Sequence, residues 1–372
     1  MSFNGKLSIQ LKLGPNSANR LDIELTRPAL AEKVLLGLAP ETAIFRLGQL
    51  LALCRQAQQG AATLALEHER PCENRLARLS DLIRAENIEQ LLWRLMLDLP
   101  VLLDCPIDLL PYKEFRALFT QQASCGRLDQ KNKQQLAWHT DKAFVQLTGL
   151  DAKVFLRLST CQLEHWLAGS SLMAKALNFL PKTKPFDGKL TEKALLAAHP
   201  DQDLSRQLMD AMLIQADFCQ QPCLDGETPS TGPMSYVCQH PHIQVMNQQK
   251  FPELSTFLLA RIIYLAQLIE QLTGENESLP RLVGQHHCQD HRLAWVQSAR
   301  GLLLHLGKLQ DGAISDYRIC APTEWNFHRR GAFYRIMTDA EFRSNIAQEK
   351  QVKLAVLAFD PCIDFTIGVS HA

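Results

Sequence analysis

The chain has 372 residues, enough for a large buried core, and its 46% hydrophobic and 21% charged residues fit an ordinary folded globular protein. Its 39 basic residues balance 39 acidic ones, so the charge argues against nucleic acid or an anionic membrane as the main partner. There is no apolar run of about 18 residues to span a bilayer and no cationic, apolar leader; with an odd, irregularly spaced set of 11 cysteines, this predicts a cytoplasmic protein with reduced thiols.

The first residues alternate, with Leu7, Ile9 and Leu11 followed by Leu21, Ile23 and Leu25, which predicts a β-hairpin or two edge strands. Helical spacing then takes over and predicts one helix over 41–66, with Glu41 or Thr42 near its N-cap and Gly48 and Gly60 allowing close packing. Further helices are expected at about 74–103, 111–121, 130–148 and 171–178, and one or two more within 190–218. The stretch 220–251, with Pro222, Pro229, Pro233 and Pro241, reads as loop. A long helix is expected over 253–273. Strands at 302–309 and 313–320 flank Asp311-Gly312, a hairpin signal, and a last strand is expected over 353–359. There is no internal repeat and no clear linker. The expectation is a single domain over 1–372, mainly α with small β elements (α+β).

Chemistry-bearing motifs are few. No phosphate-binding glycine loop, dinucleotide fingerprint or hydrolase nucleophile elbow occurs. His286, His287, Cys288 and His291 cluster, His240 and His242 flank Pro241, and Cys219 and Cys223 stand four apart. None has a recognised zinc spacing, and all read more simply as loop or surface residues.

Three other segments carry a pattern. Ala299 to Asn326 reads ARGLLLHLGKLQDGAISDYRICAPTEWN. Near the C-terminus stands DPCIDFTIGVSHA, and LLALCRQAQQGAATLALE lies early in the chain. Together these resemble the large subunit of NiFe hydrogenases. That family has Pro-Arg-Gly, an Asp-Gly turn and Pro-Ser/Thr-x-Trp-Asn in the first segment; Arg300, Gly301, Pro322, Thr323, Trp325 and Asn326 match, and Ala299 replaces the proline. The family's Asp-Pro-Cys-x-x-Cys-x-x-His becomes Asp360, Pro361 and Cys362, with Phe365 at the second cysteine and Gly368 at the histidine. Its early Cys-x-x-Cys-x-x-x-His becomes Leu51, Cys54 and Gln58. A fainter likeness covers TGPM at 231–234 and STFLLAR at 255–261. Within this family the chain is most similar to the HupK/HoxV-type accessory proteins.

The resemblance implies a NiFe-hydrogenase large-subunit-like fold, with a site formed by residues 41–67 and 295–372. It also implies metal ligands at Cys54, of the bridging kind, and Cys362, of the nickel-only kind. Two thiolates cannot make a four-sulfur nickel site, so no nickel is expected. They could hold one Fe(CN)2CO fragment, since soft anionic sulfur suits electron-rich iron. Arg300, Pro322 and Thr323 are expected to face its cyanide and carbonyl ligands, with arginine donating charge-assisted hydrogen bonds. The few residues after Cys362 leave little room for a cleaved tail, which fits a chain never matured by nickel. The expected role is a non-catalytic scaffold that works with hydrogenase maturation proteins and the apo large subunit. The alternatives are a metal-free adaptor and an unusual mononuclear-iron enzyme. For Cys54 the bland reading is a packed core thiol, for Cys362 a buried turn thiol, for Arg300 an ordinary ion-paired arginine. Asp360 reads as a turn former and Glu67 is given no chemical role.

Overall fold

The structure is a computed structural model, described over residues 5–14, 19–27, 30–67, 71–185, 194–273, 279–343 and 348–371. The alternation at the start becomes β1 (Lys6–Leu13) and β2 (Arg20–Thr26), which pair antiparallel. Leu7, Ile9, Leu11, Leu21 and Ile23 all point inward and are buried. The turn expected between the two strands lies partly at 15–18, outside the described residues.

The helix Glu253–Thr273 is largely apolar, is buried on nearly all sides and forms the middle of the helical layer. It packs against Glu73–Trp93, Gln130–Thr148 and Gln348–Phe359. Arg261, halfway along it, is only 1% exposed. A charge at that depth needs partners, and the site described below supplies them.

The second sheet is an antiparallel meander of β3 (Val283–Cys288), β4 (His291–Ser298), β5 (Gly301–Gln310) and β6 (Ala313–Cys320). Asp311 (φ 54°) and Gly312 (φ 78°) turn β5 into β6, both with positive φ as a tight primed turn demands. Both sheet faces are covered. Ala294, Val296 and Leu303 cluster with Ala57, Ala61 and Ala65 of the helix Arg55–Leu66. Leu293, Trp295, Leu302 and Leu304 cluster with Leu208, Met212, Phe218 and Trp325.

The mainly helical α+β expectation holds, and so do most helix positions, but five readings need correction. The helix expected over 41–66 is two, Pro40–Leu50 and Arg55–Leu66, with a 3-10 turn Ala52–Cys54 between them. Leu51 leaves helical geometry at φ −115°, ψ 57°, a break that apolar spacing does not reveal. The first of these helices is capped at Ala39, with Pro40 in its first turn, rather than at Glu41 or Thr42. The supposed loop 220–251 contains the helices Pro233–Val237 and Pro241–Gln248, whose prolines start helices rather than exclude them. Two short helices, Ala152–Leu156 and Thr160–Leu167, were not anticipated. Finally, 353–359 belongs to the helix Gln348–Phe359, and the last strand is β7 (Asp364–His371). A short apolar run does not separate buried helix from buried strand. Of the helix expected within 190–218, Gln202–Ile214 is present, while 190–193 lie outside the described residues.

β7 matters most for the site. It pairs parallel with β1, so the first sheet runs β2-β1-β7 and joins both ends of the chain. Lys6 pairs with Thr26 on one side and Asp364 on the other. The chain just after β2 and just before β7 therefore meets at one end of this sheet. No helix among the described residues is long and apolar enough to cross a membrane.

Candidate metal centre

Cys54 closes the 3-10 turn and immediately precedes the helix Arg55–Leu66. Cys362 lies between the helix Gln348–Phe359 and β7, after Asp360 has reversed the chain at φ 51°. Cys54 and Cys362 are close enough for a charge on one to act on the other. The fold thus brings together two cysteines from opposite ends of the chain.

Cys362 is held by three contacts. Thr323 Oγ1 lies 3.1 Å from its sulfur and accepts its backbone N–H at 3.2 Å. Arg27 Nη2 donates to the same sulfur at 3.1 Å, while Arg27 Nε pairs with Glu324 at 2.5 Å. Burial works against the Arg27 cation, but Glu324, Cys362 and Cys54 outweigh it and raise its pKa.

Behind Cys362 stands a charged wall. Asp360, 1% exposed, accepts from Arg94 Nε at 2.8 Å and Arg261 Nη2 at 2.8 Å, and pairs with Arg300 Nε at 3.3 Å. Burial pushes the Asp360 carboxyl up, yet Arg300, Arg261 and Arg94 together hold it below the ordinary value. Three guanidinium groups thus surround one buried carboxylate, with Asp98 reaching Arg94 from the outer side at 2.9 Å. The balance is positive, and donors are left over. Arg300 Nη2 and Arg261 Nε and Nη1 are buried without a hydrogen-bond partner among the described residues. A cavity of about 10 Å³ opens beside them, lined by Thr231, Phe257, Arg261, Arg300, Asn326 and Phe359.

Backbone geometry sets Arg300. Gly301 has φ 148°, and a Cβ there would meet Thr231 Cγ2 at 2.5 Å and Pro322 Cβ at 2.8 Å, so only glycine lets Pro322 pack on this turn. Pro322 is therefore a wall of the site rather than a donor. Asn326 ties the parts together: its amide donates to Thr231 O at 2.9 Å and Arg300 O at 3.3 Å, and its oxygen accepts from Thr231 N at 3.0 Å.

The wall at Cys54 is different. Gln58 Nε2 donates weakly to its sulfur at 3.5 Å, and Gln58 Oε1 meets His305 Nε2 at 2.9 Å. His305 Nδ1 meets the Tyr317 hydroxyl at 2.7 Å. Burial drives His305 down to about 3, so this chain of partners is neutral. Glu86 accepts Gln56 N at 2.7 Å and Ala57 N at 2.8 Å, capping the helix that Cys54 precedes. Burial raises Glu86 to about 7 against those two bonds. Burial, helped by Cys362 and Glu86, outweighs Arg300 and Gln58 and pushes the Cys54 thiol up to about 12, so Cys54 stays protonated.

The structure thus gathers Cys54, Cys362, Arg300, Pro322 and Thr323 at one place. Sequence reasoning missed Arg27, Glu86, Arg94, Arg261, His305 and Glu324. A charged residue inside an otherwise apolar helix was an available signal for Arg261; Arg27 offered none. The clustered histidines do not form a centre: Cys288 and His291 pair across the β3–β4 hairpin. No three metal-binding side chains converge anywhere among the described residues. Glu67 pairs with Arg75. A cavity of about 840 Å³ around Leu196, Asp201, Leu224 and Gln248 includes none of these site residues. The donor set therefore suits a metal fragment that arrives with most of its own ligands, provided those ligands accept hydrogen bonds.

No protein-family model matches the chain. Among curated proteins, it is 28% identical to the hydrogenase expression/formation protein HupK of Azotobacter vinelandii, over 99% of both chains. It is 26% identical to the hydrogenase expression/formation protein HoxV of Cupriavidus necator, over 93% of this chain and 92% of that one. Among solved structures, it superposes on an NAD+-reducing NiFe hydrogenase with a TM-score of 0.54 at 15% identity, covering 95% of this chain and 94% of that one. A NiFeSe hydrogenase variant from Desulfovibrio vulgaris Hildenborough gives a TM-score of 0.51 at 13% identity, covering 97% and 99%. Over nearly its whole length the chain is similar to HupK- and HoxV-type hydrogenase expression/formation proteins, and its fold is similar to that of the large subunits of NiFe hydrogenases.

Proposed function

We propose that the chain is a non-catalytic accessory protein of hydrogenase maturation that holds an Fe(CN)2CO fragment between Cys54 and Cys362 on its way to the apo large subunit. The observation that carries this reading is the buried, unpartnered Nη2 of Arg300, a cation near enough to act on Cys54. An orphaned guanidinium donor costs free energy unless a ligand meets it, and a metal-bound cyanide is an anionic acceptor. The excess of arginine over carboxylate around Asp360 favours the same kind of guest. The two sulfurs bind iron as thiolates, so loading releases their protons. Two protein ligands hold less tightly than four, so transfer to a four-cysteine large subunit runs downhill. Other maturation proteins deliver the fragment, in the cytoplasm, where thiols stay reduced.

The test is co-expression with a hydrogenase maturation system, anaerobic purification, and infrared spectroscopy with an iron assay. Cyanide and carbonyl bands with stoichiometric iron are expected, and neither should survive in Cys54→Ser or Cys362→Ser. Arg300→Leu should shift or weaken the cyanide bands before it affects the carbonyl band. One observation favours a second reading, a metal-free adaptor that binds hydrogenase or maturation proteins: the burial that keeps Cys54 protonated. Absent iron, together with unimpaired maturation in both cysteine variants, would select that reading instead.

A further inference from the structure

Arg27 sits where neither the charged wall nor the thiol pair requires an arginine. It follows the last residue of β2, and Cys362 lies two residues before β7. Because Thr26 and Asp364 both pair with Lys6 across β1, one sheet end delivers both side chains to the same point. There Arg27 Nη2 lies 3.1 Å from Cys362 Sγ, and Thr323 Oγ1 approaches the same sulfur at 3.1 Å. Glu324, with its side chain 2% exposed, pins the guanidinium through Nε at 2.5 Å. The sulfur is thus already contacted on two sides, one of them by a fixed cation.

We propose that Arg27 is the specificity-determining residue of the two-thiol site: its guanidinium, seated on Cys362 and anchored by Glu324, rejects a bare divalent cation and admits a metal fragment that brings its own anionic ligands. This deepens the reading of Cys54 and Cys362 as fragment-holding thiols and rests on it. A divalent ion bound to Cys362 would sit within a few ångströms of a guanidinium that Glu324 holds in place, and in a mostly buried setting that repulsion is weakly screened. It would also have to displace a charge-assisted hydrogen bond to reach the sulfur. A fragment whose metal charge is already offset by its own anionic ligands meets the opposite situation, since Arg27, like Arg300, then faces ligands that accept its hydrogen bonds.

The experiment titrates the purified, reduced protein with cobalt(II) and follows thiolate-to-metal charge-transfer absorption; nickel(II) serves as a second probe. The variants are Arg27→Lys, which keeps the charge, Arg27→Gln, which keeps a donor for Glu324 without it, and the pair Arg27→Met with Glu324→Gln, which leaves no buried carboxylate unpaired. Circular dichroism confirms folding. Wild type and Arg27→Lys should bind cobalt(II) weakly. Arg27→Gln and the paired variant should bind about tenfold tighter or more, a gain abolished by adding Cys362→Ser. Unchanged or weaker binding in whichever uncharged variant folds would overturn the proposal. Infrared spectra of the wild type separate the two ideas. Iron-carbonyl bands with no cobalt(II) gain would sink the role of Arg27 and leave the scaffold standing. A cobalt(II) gain without such bands would do the reverse.

Discussion

The two thiols lean on walls of opposite character. Cys362 stands before a charged wall, where Asp360 holds Arg94, Arg261 and Arg300, and Arg27 and Glu324 close the other side. Cys54 stands before a neutral wall, where Gln58, His305 and Tyr317 pass hydrogen bonds along without an ion. The charged wall has more donors than acceptors, and some of those donors have no partner among the described residues. The neutral wall is complete by itself, and its cost appears as a thiol raised to about 12. On the proposed reading, one wall recognises the guest and the other keeps its thiol protonated until a metal arrives.

The comparison breaks first at Asp360. Asp360→Ala leaves three arginines buried around no carboxylate and should lower stability by about 3–5 kcal/mol, read from urea unfolding. A loss below about 1 kcal/mol would mean that the wall is open to water. On the neutral wall, Gln58→Leu removes the partner of His305 Nε2 and the weak donor to Cys54, and should cost about 1–3 kcal/mol. No measurable cost would show that this chain is not sealed.

pH sharpens the contrast. His305 has its folded pKa depressed from 6.5 to about 3, so its contribution to stability is full above pH 6.5 and drains away as pH falls toward 3. Glu86 has its folded pKa raised from 4.5 to about 7, so its contribution is full below pH 4.5 and is lost as pH rises through 7. Between pH 4.5 and 6.5 the two oppose each other. Glu86→Gln should therefore make stability rise more steeply with pH in that window, and His305→Gln should tilt it the other way, each by up to about 1.4 kcal/mol per pH unit. Parallel stability–pH curves for wild type and both variants would contradict these assignments. The smallest effect belongs far from either wall: Gly312→Ala, at φ 78° in the β5–β6 turn, should cost about 1 kcal/mol and leave any iron-fragment spectrum unchanged.

Much of this was legible in the chain, for stated reasons. Alternation placed β1 and β2, Asp311-Gly312 placed the second hairpin, and the largely apolar stretch 253–273 became the central helix. Asp360-Pro361-Cys362, Cys54 and the Arg300 and Pro322-Thr323 segments marked the site because their order and spacing form a pattern longer than chance supplies. The break at Leu51 was invisible, since apolar residues at helical spacing continue straight through it. The strand assigned to 353–359 failed because KLAVLAF satisfies helix and strand alike, and a buried run that short carries no periodicity to separate them.

By itself, then, the sequence determined which residues were available: two thiols instead of four, an arginine and a threonine in the hydrogenase-like segments, and no other recognisable ligand set. Tertiary structure alone decided what surrounds those thiols. Pairing β7 beside β1 is a contact between the two ends of the chain, and no local pattern encodes it. That pairing carries Arg27 onto Cys362. The burial of Asp360 against three arginines from three different elements likewise exists only once those elements pack. Periodicity reports the face a residue presents within its own element, whereas a charge in low dielectric is governed by whatever the rest of the fold places next to it.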